Sequence, residues 1–102
     1  MTYTVIVDAN AERDWHEAAI WYGKRDPGVG RRLNVAIQAL LDSLARQPER
    51  FPLATARTRK ARVPPPWPYS VYFTINNAHR EVKVLAIWHG ARNPAQLRRR
   101  LK

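Results

Sequence analysis

His89 and Arg92, three residues apart around Gly90 near the C-terminus, are the first side chains in this sequence whose types and spacing could do chemistry. A histidine with a reference pKa of about 6.5 can give or take a proton near neutral pH. An arginine holds phosphate oxygens with a planar fork and stays charged at any physiological pH. Cutting RNA without a metal needs a base for the 2′-OH, an acid for the leaving 5′ oxygen, and cations for the charge that builds on phosphorus. His89, Arg92, Arg62 and Arg59 are of the right types for those tasks. The plainer reading of His89 is a ring that packs on Trp88 or hydrogen-bonds the turn at Gly90.

The remaining candidates are cationic. Arg57, Arg59, Lys60 and Arg62 form a short basic run in which Arg57 and Arg59 share one face of an extended chain and Lys60 and Arg62 the other. Arg57, Arg59, Arg62, Arg92, Arg98 and Arg99 are the expected contacts with a polyanion or a partner. For the tail arginines the plainer reading is a solvated end. Eighteen Lys and Arg against eight Asp and Glu give +10 in 102 residues, above the magnitude of about 2 to 8 usual for a small domain. Such a field favours nucleic acid, a ribosome, an anionic membrane or an acidic protein as partner.

The composition also excludes chemistry. Without cysteine there is no disulfide, thiolate metal site or thiol nucleophile. His16 and His79 have no second ligand at useful spacing, so neither a metal nor another cofactor is expected. No run approaches the roughly 18 to 20 apolar residues of a membrane span, and the N-terminus lacks the pattern of a secretory signal. The expectation is a soluble, cytoplasmic protein with no membrane partner.

These residues must be positioned by a single domain over 1–102, since the length leaves room for one core. Tyr3 to Val7 reads as a strand ending at Asp8. Asp8 or Asn10 can cap a helix whose apolar face carries Ala11, Trp15, Ala18, Ala19 and Tyr22. Asp26-Pro27 starts a second helix with a stripe through Val29, Leu33, Ala36, Ile37, Leu40, Leu41 and Leu44, closed by Pro48. So short a connection predicts an antiparallel helical hairpin. Thr55 to Val63 reads as a charge-protected edge strand, and the PPPWP segment as a stiff connection in which Trp67 closes the rim of the core or stands out as an anchor.

Tyr69 to Ile75 alternates, and Asn76 to His79 offers a turn. Glu81 to His89 is apolar on both sides, with Val82, Val84, Ala86 and Trp88 expected on one face and Leu85 and Ile87 on the other, as in a central strand. A short basic helix follows in Ala95 to Lys102. The order β-α-α-β-β-β plus a C-terminal helix defines an α+β fold, a helical hairpin on a largely antiparallel sheet.

Four segments, AERDWHEAAIWY, LARQPERFP, WPYSVYF and VLAIWHGARNP, taken in this order, resemble the RelE/ParE superfamily of type II toxins, also known as plasmid-stabilisation proteins. The resemblance spans nearly the whole chain. It implies a growth-arresting toxin held off by a cognate antitoxin with an acidic or amphipathic segment. It also implies one of two activities: ParE-like poisoning of DNA gyrase, or RelE-like cleavage of messenger RNA in the ribosomal A site. His89 and Arg92 match the family pattern His-Gly-x-Arg-x-Pro, which with Arg62 gives the catalytic set of the ribonuclease alternative. Several ribosome-dependent members carry a tyrosine near the C-terminus, whereas the tail here, NPAQLRRRLK, has no aromatic residue. The ParE-like branch is therefore the expected one, with a non-toxic nucleic-acid or antitoxin-binding module as a further alternative.

Overall fold

The computed structural model describes residues 2–102. Strand β1 (Thr4–Val7) leads into helix α1 (Ala9–Arg25), helix α2 (Pro27–Arg46) and a 3-10 turn at Pro48–Arg50. Strands β2 (Arg59–Arg62), β3 (Tyr69–Asn76) and β4 (Glu81–His89) follow, and helix α3 (Pro94–Arg100) closes the chain. The order read from the sequence holds element by element.

Local chemistry explains the boundaries. The Asp8 carboxylate caps α1 by accepting from Asn10 N at 2.7 Å and Ala11 N at 3.3 Å. A single residue, Asp26, separates the helices: its N–H donates to Tyr22 O, and its carboxylate accepts from Gly28 N at 2.8 Å. Pro27 then opens α2 where a missing N–H costs nothing. The helices run antiparallel, Trp15 Nε1 donating to Asn34 Oδ1 at one level and Gly23 meeting Gly30 at another. A Cβ on Gly30 would lie 3.0 Å from the Gly23 Cα, so this crossing needs a residue without a side chain.

The four strands form one mixed sheet in the order β1-β4-β3-β2, with β1 parallel to β4 and the other pairs antiparallel. The helical hairpin covers one face. Leu33, Ile37, Leu40, Leu41 and Leu44 of α2 meet Ala61, Val71, Phe73, Val82, Val84 and Ile87 of the sheet in the main core. Fully buried side chains of this size contribute about 1.5 to 3 kcal/mol each. On the opposite face Tyr72, Ala86 and Trp88 make a small second cluster, covered by Leu97 and Leu101 at the α3 end.

Two expectations need correction. β4 does not alternate regularly: Tyr72 pairs with Ala86 but Phe73 pairs with Val84, so Leu85 is an extra residue in a β-bulge. Val82 and Val84 face the hairpin, whereas Ala86 and Trp88 face α3, because one inserted residue reverses every later side chain. Nor is the β2 edge guarded by charge alone. The segment before it folds back along it, with Lys60 N donating to Pro52 O at 3.0 Å and Leu53 bridging Arg59.

Candidate functional site

β1 is too short to cover β4. The last contact is Asp8 N donating to Val84 O at 3.0 Å, and beyond it the outer edge of β4 has no strand partner. A buried strand edge must satisfy its polar groups some other way, and Asp14 of α1 does so. Its Oδ2 accepts the Ile87 N–H at 3.1 Å. Arg100 of α3 grips the same carboxylate with both forks, Nη1 to Oδ2 at 2.8 Å and Nη2 to Oδ1 at 3.2 Å, and also reaches the bulged Leu85 carbonyl at 3.2 Å. Arg92 Nη1 completes the knot at 3.1 Å from Oδ1. The Asp14 side chain is 4% exposed, and these are the two ion pairs among the described residues.

Trp88 lies beneath the knot, with the Arg92 guanidinium 3.8 Å from its ring centroid and that of Arg100 at 5.2 Å. Its buried Nε1 has no hydrogen-bond partner. The sequence reading missed Asp14. Its signal was a carboxylate in line with Ala11 and Ala18, inside the apolar stripe of the first helix, where an unpaired charge would be expensive.

The structure separates the residues proposed for one catalytic centre. His89 pairs with Tyr69 on the hairpin side of the sheet, the rings edge to face at 5.1 Å. Arg62 shares a row with Ser70 and Trp88, which belong to the opposite face. His89 Nδ1 accepts the Ala91 N–H at 3.0 Å, so the neutral ring carries its proton on Nε2, in the donor form. The turn role foreseen as the plainer alternative is therefore realised. Arg92 bends around the free edge and is half-exposed.

The other cations divide into engaged and free. Arg59 Nη1 donates to the carbonyls of Phe51 at 2.7 Å and Glu49 at 3.1 Å, tying β2 to the segment after α2. Arg57, Arg62, Arg98 and Arg99 are exposed and make no ion pair. Lys60 and Arg62 share the sheet face of Tyr72, with Lys60 Nζ 5.9 Å from the Tyr72 ring centroid. No group of three or more His, Cys, Asp or Glu side chains that could hold a metal occurs among the described residues, and no described helix is long and apolar enough to cross a membrane.

Between α1 and the end of β4, on the hairpin side of the Asp14 knot, lies a cleft of about 360 Å³. Ala18 and Ile87 belong to its apolar lining, together with an aromatic series Trp21, Tyr22, Tyr69 and His89 whose neighbouring rings meet edge to face at 4.8, 6.3 and 5.1 Å. Glu17 and Arg92 complete its border. Burial, together with the neighbouring Tyr22, pushes the Tyr69 hydroxyl up to about 12, so it stays protonated.

A helical hairpin on one face of a four-stranded mixed sheet, with a basic terminal helix tied to the sheet edge, is the architecture of the small RelE/ParE-type toxins. Residues 5–94 match the family model of the ParE toxin of type II toxin–antitoxin systems, and the chain belongs to that family. It is 35% identical to Toxin RelE1 of Caulobacter vibrioides over 91 residues, covering 88% of this chain and 96% of the relative. It is 32% identical to Toxin RelE2 of the same organism over 91 residues, covering 89% and 92%. Among solved structures, the chromosomal ParDE toxin–antitoxin system from P. aeruginosa shares the fold with a TM-score of 0.73 at 16% identity, over 85% of this chain and 95% of that one. The toxin–antitoxin complex RelBE2 from Mycobacterium tuberculosis aligns with a TM-score of 0.64 at 27% identity, over 87% and 99%.

Proposed function

We propose that this toxin acts by binding rather than by cutting: it engages DNA gyrase in the bacterial cytoplasm, arrests growth, and is neutralised by a cognate antitoxin. The observation that carries the reading is the separation of His89 from Arg62 by the thickness of the sheet. A phosphate could not touch both. Metal-free cleavage needs base, acid and cation around one phosphorus. Arg57, Arg62, Arg98 and Arg99 are free to meet the target or an acidic antitoxin segment. The +10 charge supports such a partner.

The test runs purified toxin in two assays side by side. Gyrase supercoiling should fall, or gyrase-dependent DNA cleavage rise, and primer extension in a translation extract should show no A-site cuts. Loss of supercoiling inhibition at micromolar excess would remove the gyrase reading.

The second reading, ribosome-dependent cleavage, is favoured by the exposed Lys60 and Arg62 on the sheet face on which α3, the helix of the exposed Arg98 and Arg99, also packs, and by the names of the two Caulobacter relatives. A-site cuts abolished by Arg62→Ala would establish it. Absence of growth arrest on induced expression would instead favour a non-toxic binding module.

A further inference from the structure

The cleft between α1 and β4 has a polar border that the toxin reading does not use. Asp14, Ala18 and Trp21 or Tyr22 recur at helical spacing, so one face of α1 presents an anchoring carboxylate, a small floor residue and two rings. Asp14 is fully occupied, both oxygens accepting from Arg92, Arg100 or Ile87 N. Glu17, one helical turn on, is exposed and makes no ion pair, so it is the free acceptor. The donors are the His89 Nε2–H, the protonated Tyr69 hydroxyl and the half-exposed Arg92 guanidinium.

That inventory excludes the simple ligand classes. An organic cation would satisfy Glu17 but offer no acceptor to the three donors. An anion would meet those donors and be repelled by Glu17. The cleft calls for a flat group carrying two adjacent donors on one edge and acceptors on another. Its volume, about 360 Å³, lies in the small-ligand range of roughly 300 to 1,000 Å³.

Guanine has that pattern. Its N1–H and N2–H pair with a carboxylate, its O6 and N7 accept, and its ring stacks or packs edge-on against aromatic walls. Adenine would turn its N1 lone pair toward the carboxylate. We propose that this cleft is a guanine-binding site, in which Glu17 reads the Watson–Crick edge, Tyr69, His89 and Arg92 serve the O6/N7 side, and Trp21 and Tyr22 wall the base. An attached phosphate would be drawn by the net positive charge. The base can arrive as a free nucleotide or as an unpaired guanine in a nucleic acid. The site is independent of whether gyrase is the target.

Calorimetric titration of the full chain with GMP, AMP and two short single-stranded oligonucleotides, identical except for one guanine replaced by adenine, tests the assignment. The guanine ligand should bind roughly tenfold or more tightly than its adenine counterpart, as a bidentate contact implies. Glu17→Gln, an exposed change that leaves Tm unaltered, should abolish that preference. Saturation by GMP alone identifies a nucleotide site, and a response limited to the guanine oligonucleotide identifies a nucleic-acid site. Equal affinity for guanine and adenine, an unchanged preference in Glu17→Gln, or no binding of any probe at millimolar concentration overturns the proposal. A gyrase assay that fails while guanine binding survives removes only the target reading.

Discussion

Two polar knots hold opposite ends of β4, and they are built on different principles. At the C-terminal end, Asp14 is a buried carboxylate shared by two arginines and a backbone N–H. At the N-terminal end, the Tyr3 hydroxyl donates to Glu49, the Asn77 amide lies 2.9 Å from the same hydroxyl, and Arg80 reaches it at 3.3 Å while its guanidinium stands 4.0 Å over the Tyr3 ring. Arg80 adopts a left-handed backbone with φ of 51°, and its buried Nε has no partner. The Asp14 knot replaces a missing strand and borders a cleft with free hydrogen-bonding groups. The Tyr3 knot ties turns together, and the groove beside it, bordered by Glu49, Arg57, Asn76 and Asn77, has no aromatic wall. Two networks that each gather a carboxylate and an arginine thus do unlike work, according to whether they fill a gap in the sheet.

The largest expected effect is on the buried charge. Asp14→Asn should cost about 3 to 5 kcal/mol in urea unfolding, because it leaves two guanidiniums without their anion. Tyr3→Phe should lower Tm by less, since the groups it frees lie nearer to water. If the two losses were equal, the contrast drawn between the knots would collapse.

Titration sharpens the contrast. The hydrogen bond from Tyr3 holds the Glu49 carboxyl below its ordinary range, so its stabilising contribution is present above that range and is lost as pH falls through the depressed value. Acid unfolding should therefore be shallower in Tyr3→Phe. At the cleft end, Tyr69 ionises near 10 when unfolded but only at about 12 when folded, so stability should fall between those values as pH rises. Tyr69→Phe should flatten that alkaline loss. Smallest in stability is the pair Arg98→Ala and Arg99→Ala, which should leave Tm unchanged because both are exposed. If a polyanion is the target, its binding should weaken and its salt dependence should lose about two phosphate contacts.

Much of the scaffold was legible because local signals agreed. Asp8, Asp26-Pro27 and Pro48 mark helix ends by capping chemistry that acts within a few residues, and the α2 stripe has only one face to bury. The site was less legible. Placing His89, Arg92 and Arg62 together assumed an unbroken alternation, and Leu85 broke it without any glycine or proline to announce the bulge. Arg59 carried the same charge as its neighbours, yet the carbonyls of Phe51 and Glu49, in the segment that folds back along β2, took it up. Asp14, which the sequence reading missed, did carry a signal, a carboxylate out of place on an apolar face.

The parallel pairing of β1 with β4 also sets the order in which the chain can mature during synthesis. Residues 4–7 find their partners only at 81–84, so the helical hairpin can form on the emerging chain while the first strand still lacks its neighbour. The Asp14 knot waits longer still, for Arg100. A partly translated copy therefore holds no finished cleft and no clasped terminal helix. The completed surface, and any harm it can do, comes into being only once Arg100 has joined the fold.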